Sequence, residues 1–118
     1  MNWLNDLFKA IDQSDAAGFT SFLTKDASFK LGNADAVLGR DNIRDFLAGF
    51  FSAIKSTEHT LENSWSIDNH VFIQGHVTYT RLNNTTLSVP FADIFEMNGD
   101  KIQDYKIYID ASELFASQ

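Results

Sequence analysis

Two short polar pairs, Asp68-Asn69 and Asn83-Asn84, constrain this chain more than any other feature. Each interrupts a run of alternating residues, and paired Asn/Asp residues tolerate the positive φ that two-residue hairpin turns demand. Reading both as such turns predicts three antiparallel strands whose register follows by counting. Ile67 is set opposite His70, which pairs Trp65 with Phe72, Asn63 with Gln74, Leu61 with His76 and His59 with Thr78. Leu82 opposite Thr85 then pairs Phe72 with Phe95, Gln74 with Asp93, His76 with Phe91 and Thr78 with Val89. A three-residue loop at Asn98-Gly99-Asp100 sets Asp93 opposite Tyr105 and Phe91 opposite Ile107. A two-residue loop at Asn98-Gly99 would instead set Asp93 against Asp104, a like-charge pair that costs free energy.

This register predicts one inner face on which a polar row, Asn63, Gln74 and Asp93, crosses apolar ground made by Trp65, Phe72, Leu61, Phe91 and Phe95. Apolar walls with a few convergent polar groups are the composition of a ligand pocket. The chain has 11 Phe in 118 residues. Phenylalanines at that density fill a core or line a cavity for an apolar ligand, core filling being the commoner use.

The rest of the chain reads as helices followed by a meander. Trp3, Leu4, Leu7, Phe8 and Ile11 recur at helical spacing over residues 2–13. Ser14 or Asp15 can cap a second helix carrying Ala16, Phe19, Phe22 and Leu23. Residues 26–31 read as a short strand broken by Gly32-Asn33, and Ala36-Val37-Leu38 as another. Asp41 can cap a longer helix whose stripe is Ile43, Phe46, Leu47, Phe50, Phe51 and Ile54. Strands are expected at 57–67, 70–82, 85–97 and 101–110, and 111–118 as a tail or short helical turn. The pattern is α+β in a single domain, 1–118.

The outer face of the predicted sheet is also apolar, with Ile73, Val77, Tyr79, Pro90, Ala92, Ile94 and Tyr108. Helices cover one face only, and a second apolar face on a small domain wants a partner. A second copy about a twofold axis is the economical one; cover by the tail and loops is the alternative. The net charge of −7 disfavours nucleic acid and anionic membrane surfaces. No apolar run spans a bilayer, the start lacks a basic signal-peptide region, and there are no cysteines. A cytoplasmic protein without cofactor is expected.

The order of elements, with Asp26-Ala27-Ser28-Phe29, then Gly39-Arg40-Asp41-Asn42-Ile43 opening a long helix, resembles the nuclear transport factor 2-like superfamily. Val89-Pro90-Phe91-Ala92-Asp93-Ile94-Phe95 followed by Asn98-Gly99 and Ile102, and Tyr105-Lys106-Ile107-Tyr108-Ile109-Asp110, are similar to the last two strands of its SnoaL-like and ketosteroid-isomerase-like branch. The resemblance implies a cone-shaped, cystatin-like roll with helices packed in the concave face of a curved, mostly antiparallel sheet. It also implies a homodimer through the outer sheet face. The superfamily hosts many chemistries and non-enzymes, so it implies fold more than reaction. By resemblance, Asp93 takes the place of the isomerases' protonated carboxyl, a group kept neutral by an apolar site. The isomerase tyrosine falls at about Leu7 and the isomerase base at about Leu31, so both groups are missing. The acid of the epoxide-hydrolase branch falls at about Ile107. In the polyketide-cyclase branch an acid works beside His, and here Asp93 with His76 or His59 would play those parts.

The candidate catalytic residues are therefore Asp93, as an acid or base with a pKa raised by desolvation, and His76, as its proton-shuttling partner. Asn63, Gln74, Trp65, Phe72, Phe91, Tyr105 and His59 are the candidate ligand-binding residues. Each has a plainer reading, as a satisfied core or edge residue. His59, His76 and Asp93 lie on different strands and lack metal-ligand spacing, so no metal is expected. The function expected is a pocket for a small apolar ligand, serving an isomerase, cyclase or dehydratase, or a binding module without turnover.

Overall fold

A computed structural model describes residues 2–116. Three helices pack against a curved, open six-stranded sheet, the α+β class that the sequence pattern predicts and the roll that the resemblance implies. Helix α1 (Asn2–Asp12) buries Leu4, Leu7, Phe8 and Ala10. Helix α2 (Ala16–Thr20) is capped by Asp15, whose Oδ1 accepts from Gly18 N at 2.9 Å. Its apolar stripe ends earlier than expected, because Leu23 opens strand β1 (Leu23–Leu31). After the short β2 (Val37–Leu38), helix α3 (Arg40–Ser52) starts from Gly39 at φ 92°, a conformation that favours glycine. Asp41 is thus not its cap but lies in the first turn, where a carboxylate suits the helix dipole.

The meander follows as β3 (Ser56–Ile67), β4 (His70–Thr80), β5 (Thr86–Asn98) and β6 (Lys101–Ile109). The sheet order is β2-β1-β6-β5-β4-β3, with β1 and β6 parallel and the other neighbours antiparallel. Each strand lies within a few residues of its expected position.

Register is where structure and expectation part. The first turn is as read: Asp68 takes φ 53°, and Ile67, Trp65 and Asn63 face His70, Phe72 and Gln74. A β-bulge at Leu61–Asn63 then shifts the pairing, so Leu61 meets Gly75 and His59 meets Val77. The second turn is one residue longer than expected. Arg81 N donates to Thr85 O at 2.8 Å across Leu82-Asn83-Asn84, with Asn84 at φ 69°, the left-handed residue of a three-residue hairpin loop. Gln74 therefore pairs with Ala92, and Asp93 with Ile73.

A slip of one residue exchanges the faces of a strand, and burial decides which face wins. Val71, Ile73, Val77 and Tyr79 enter the core, while Gln74 and His76 are exposed. The opposite choice would strip water from Gln74 and His76. The third turn is a two-residue loop, Gly99-Asp100, with a further irregularity at Glu96/Met97. Asp93 faces Ile107, and Phe95 faces Tyr105. The offset from the expected pairing is even, so Asp93, Phe91, Phe95, Tyr105 and Ile107 still share the inner face.

The outer face changes accordingly. Ile73, Val77 and Tyr79 leave it for the core, and Trp65, Ile67 and Phe72 join Pro90, Ala92, Ile94 and Tyr108. A charge at Val77, only 1% exposed, would test folding and not assembly. Arg81 holds the C-terminal turn: Nε donates to Leu114 O at 2.9 Å and Nη2 to Glu113 O at 3.0 Å. Leu114 is buried there. Asp110 caps this turn, accepting from Ser112 N at 3.1 Å. Residues 117–118 of the expected tail lie outside the described residues.

Candidate functional site

Between the helices and the inner sheet face lies a narrow cavity of about 50 Å³. Its walls are apolar and rich in aromatic rings, Phe8, Phe19, Phe29, Phe50, Phe91, Tyr79 and Tyr105 among them, and they also carry Asp93 and His59. Tyr105 is braced by rings on several sides, at 4.2 Å from Phe95, 5.1 Å from Phe29 and 5.3 Å from Phe19.

Asp93 is 2% exposed, and its Oδ1 has no hydrogen-bond partner among the described residues. Burial pushes its carboxyl well above the usual carboxylate range, which favours the protonated, neutral form. Burial, and then the charge of Asp93, push Tyr79 up to about 12. Tyr105 rises for the same reasons, with Tyr79 adding to the effect. Both tyrosines stay protonated at neutral pH, so neither acts as a base. A buried polar atom left unpaired costs free energy, so an unpaired carboxyl oxygen in a cavity wall is a place where a ligand atom would be stabilised.

His59 lines the same cavity, held by the end of α1. Its Nδ1 lies 2.6 Å from Asp12 Oδ1, and its backbone N donates to Asp12 Oδ2 at 2.9 Å. Thr57 Oγ1 donates to Asp12 Oδ1 at 3.0 Å. Burial pushes the Asp12 carboxyl up, but the hydrogen bonds and charge of His59 and the Thr57 hydroxyl together hold it below the ordinary value. A carboxylate accepting from Nδ1–H leaves Nε2 as the imidazole's free acceptor. The ring makes a tilted contact with Phe8 at 5.1 Å and an edge contact with Phe91 at 5.4 Å.

The predicted site residues therefore divide. Asp93, Phe91, Tyr105 and His59 line the cavity. Asn63, Gln74, His76, Trp65 and Phe72 lie on the opposite face of the sheet, so the expected polar row does not form. Asn63 and Gln74 do pair, Nδ2 to Oε1 at 3.5 Å, but in solvent. His76 pairs with Glu62 on the same exposed face, and it cannot serve Asp93 through the sheet. The histidine that shares the cavity with Asp93 is His59.

Sequence reasoning missed Asp12 and Tyr79. Asp12 carried a signal: it follows Leu4 and Phe8 at spacings of four, a carboxylate on the apolar stripe of α1. Among the described residues no group of three or more His, Asp or Glu side chains is placed to hold a metal, and no helix is long and apolar enough to cross a membrane.

The helices and the curved sheet thus bound an aromatic-lined cavity whose lining includes a buried acid, Asp93, and a histidine held by a carboxylate, His59. The SnoaL-like domain profile matches residues 4–105, and the chain belongs to that family. The fold is shared with solved structures at low identity. An NTF2-like protein of unknown function from Burkholderia pseudomallei superposes with a TM-score of 0.85 at 13% identity, over 94% of this chain and 90% of that one. A putative SnoaL-like polyketide cyclase from Jannaschia has a TM-score of 0.78 at 14% identity, covering 94% and 87%. An LEH-like epoxide hydrolase from M. tuberculosis has a TM-score of 0.80 at 12% identity, covering 95% and 83%. No curated protein matches the chain.

Proposed function

We propose that the protein is an acid–base enzyme of the isomerase, cyclase or dehydratase type, acting on a small, largely apolar carbonyl compound. His59 is the base. Asp12 and Thr57 orient it, and Nε2 takes a proton from a carbon of the substrate. Asp93 is the neutral acid, whose proton hydrogen-bonds the oxygen on which negative charge develops. His59 then returns the proton to another atom of the substrate or to a leaving oxygen, so the reaction needs no redox partner. The observation that carries this reading is that an unpartnered buried carboxyl and a carboxylate-held histidine line one cavity.

The test is exchange of α-protons of small cyclic ketones into D2O, followed by NMR. His59→Gln and Asp93→Asn are expected to lower the exchange rate by about 10²–10⁴, the usual worth of a positioned acid or base. A second reading, a binding module without turnover, is favoured by Leu31, which lines the cavity where the resemblance places the isomerase base. Ketones that bind but exchange no faster than in buffer would establish it.

The same proposal includes a homodimer through the outer face. Support comes from Trp65, Ile67 and Tyr108, which are 51%, 61% and 56% exposed and border one shallow depression of about 710 Å³. A stable interface of this kind buries on the order of 2,000 Å² in total. Tyr108→Glu is expected to shift the sedimentation coefficient from dimer to monomer while leaving the fold intact. A wild type that sediments as monomer at micromolar concentration removes the dimer from the proposal. A cytoplasmic setting completes it, supported by the acidic, cysteine-free composition, and cell fractionation tests it.

A further inference from the structure

The cavity has a neighbour. A surface cleft of about 480 Å³ lies between α1 and β3, lined by Asn5, Lys9, Asp12 and Gln13 beside Leu61. Two residues, Phe8 and His59, line both the cleft and the inner cavity. Phe8 is 4% exposed and packs against both His59 and Phe91, the latter at 6.0 Å. Its ring is a partition between a small apolar chamber and a larger polar one, and His59 stands in the same wall.

The chemistry of the outer chamber follows from what is already engaged. The Asp12 carboxylate receives three donors, from His59 Nδ1, His59 N and Thr57 Oγ1. Lys9 forms no ion pair among the described residues. The unengaged charge of the cleft is therefore an ammonium, with the Asn5 and Gln13 side-chain amides beside it. The inner chamber offers rings and no cation.

We propose that the cleft is the outer half of the binding site and Phe8 its specificity-determining partition. The ligand is then an amphipathic monocarboxylate whose apolar end enters the aromatic cavity while its carboxylate lies beside Lys9. This rests on the reading of the cavity as the site of chemistry, and it adds the direction of entry, the polar end of the substrate and the residue that limits its apolar length. His59 lies at the junction, so the atom that meets Nε2 is the one next to the polar end.

Titration of the wild type with pentanoate, heptanoate and pentan-1-ol, followed through backbone amide shifts, tests it. Pentanoate is expected to move the amides of Lys9, Gln13 and Leu61 together with those of Phe91 and Ile107, and to bind at least about threefold more tightly than pentan-1-ol, the worth of one partly exposed ion pair. Lys9→Met is expected to abolish that preference. Phe8→Ala is expected to raise the affinity for heptanoate relative to pentanoate by about tenfold, the worth of two further methylenes taken from water. Phe8→Leu, which keeps an apolar side chain, gives a smaller change of the same sign should the alanine variant not fold. Shifts confined to the inner cavity, equal binding of acid and alcohol, or no shift at millimolar probe would each overturn the inference. Silent cleft amides with His59-dependent exchange intact sink this inference alone. Cleft shifts without such exchange sink the catalytic reading alone.

Discussion

Replacing Asp93 with Asn is expected to give a folded protein whose advantage over the wild type grows as pH rises from 4 to 7. The Asp93 carboxyl is pushed by burial well above its ordinary value of 3.8. The folded state therefore holds a proton that the unfolded chain releases once pH passes about 4. Between the unfolded and the folded value the stability of the wild type falls by about 1.4 kcal/mol per pH unit from this group alone. Below both values each state is protonated and the penalty vanishes. Asparagine has nothing to titrate, so the gap between variant and wild type isolates the effect. Urea midpoints at pH 4, 5.5 and 7 measure it.

A variant less stable than wild type by roughly 1–3 kcal/mol at pH 7 would mean that Asp93 is ionised within a hydrogen-bonded network, and the acid role would fall with it. Asp12 has the opposite sign. Its folded pKa is lowered, so its contribution is present above the unfolded value and is lost as pH falls through the folded one. Acid instability below about pH 4 accordingly reports on the Asp12–His59 pair together with Asp110, whose carboxyl is also held low by its hydrogen bonds to Ser112, and not on Asp93.

Gly75→Ala is expected to cost about 3 kcal/mol or more, at the upper end of what overpacking does. A Cβ at that position would lie 2.1 Å from the Thr60 carbonyl oxygen and 3.2 Å from Phe91 Cε1. The first neighbour is backbone and cannot step aside by changing rotamer. Gly75 faces Leu61, where the β3 bulge begins, so the bulge and the glycine belong together. The bulge in turn keeps His59 and Leu61 on the inner side while Asn63 and Trp65 turn outward. Loss of this fit should therefore disturb His59, on the bulged strand, before Asp93. Denaturant unfolding gives the magnitude, and amide shifts of His59 against those of Asp93 give the location. A variant within about 0.5 kcal/mol of wild type would show that the bulge relaxes freely.

Element order, helix stripes and strand positions were legible in the chain itself. Leu4, Leu7 and Phe8 announce α1, and Ile43, Leu47 and Phe51 announce α3, because a buried helical face must repeat at 3.6 residues. Asp68-Asn69 announces its hairpin because φ 53° is open to Asp and closed to most residues. Asp93 as a buried acid was legible too, from its place between Phe91 and Phe95 on one face.

Face and partner were not legible. Asn83-Asn84 is compatible with a two-residue and a three-residue loop, and the choice between them exchanges the sides of a strand. Strand β4 alternates Val71, Ile73, Val77 and Tyr79 with Phe72, Gln74, His76 and Thr78, and counting from a turn cannot decide which set goes inside. The helices decide it, by offering one surface that excludes water, where Gln74 and His76 would lose their hydration and Ile73 and Val77 lose nothing. The same tertiary contact brings Asp12 to His59 across 47 positions of sequence. Local propensity reaches only a few residues along the chain, so it set the elements. The pairing of distant carboxylate, imidazole and buried acid around one cavity depended on how those elements packed.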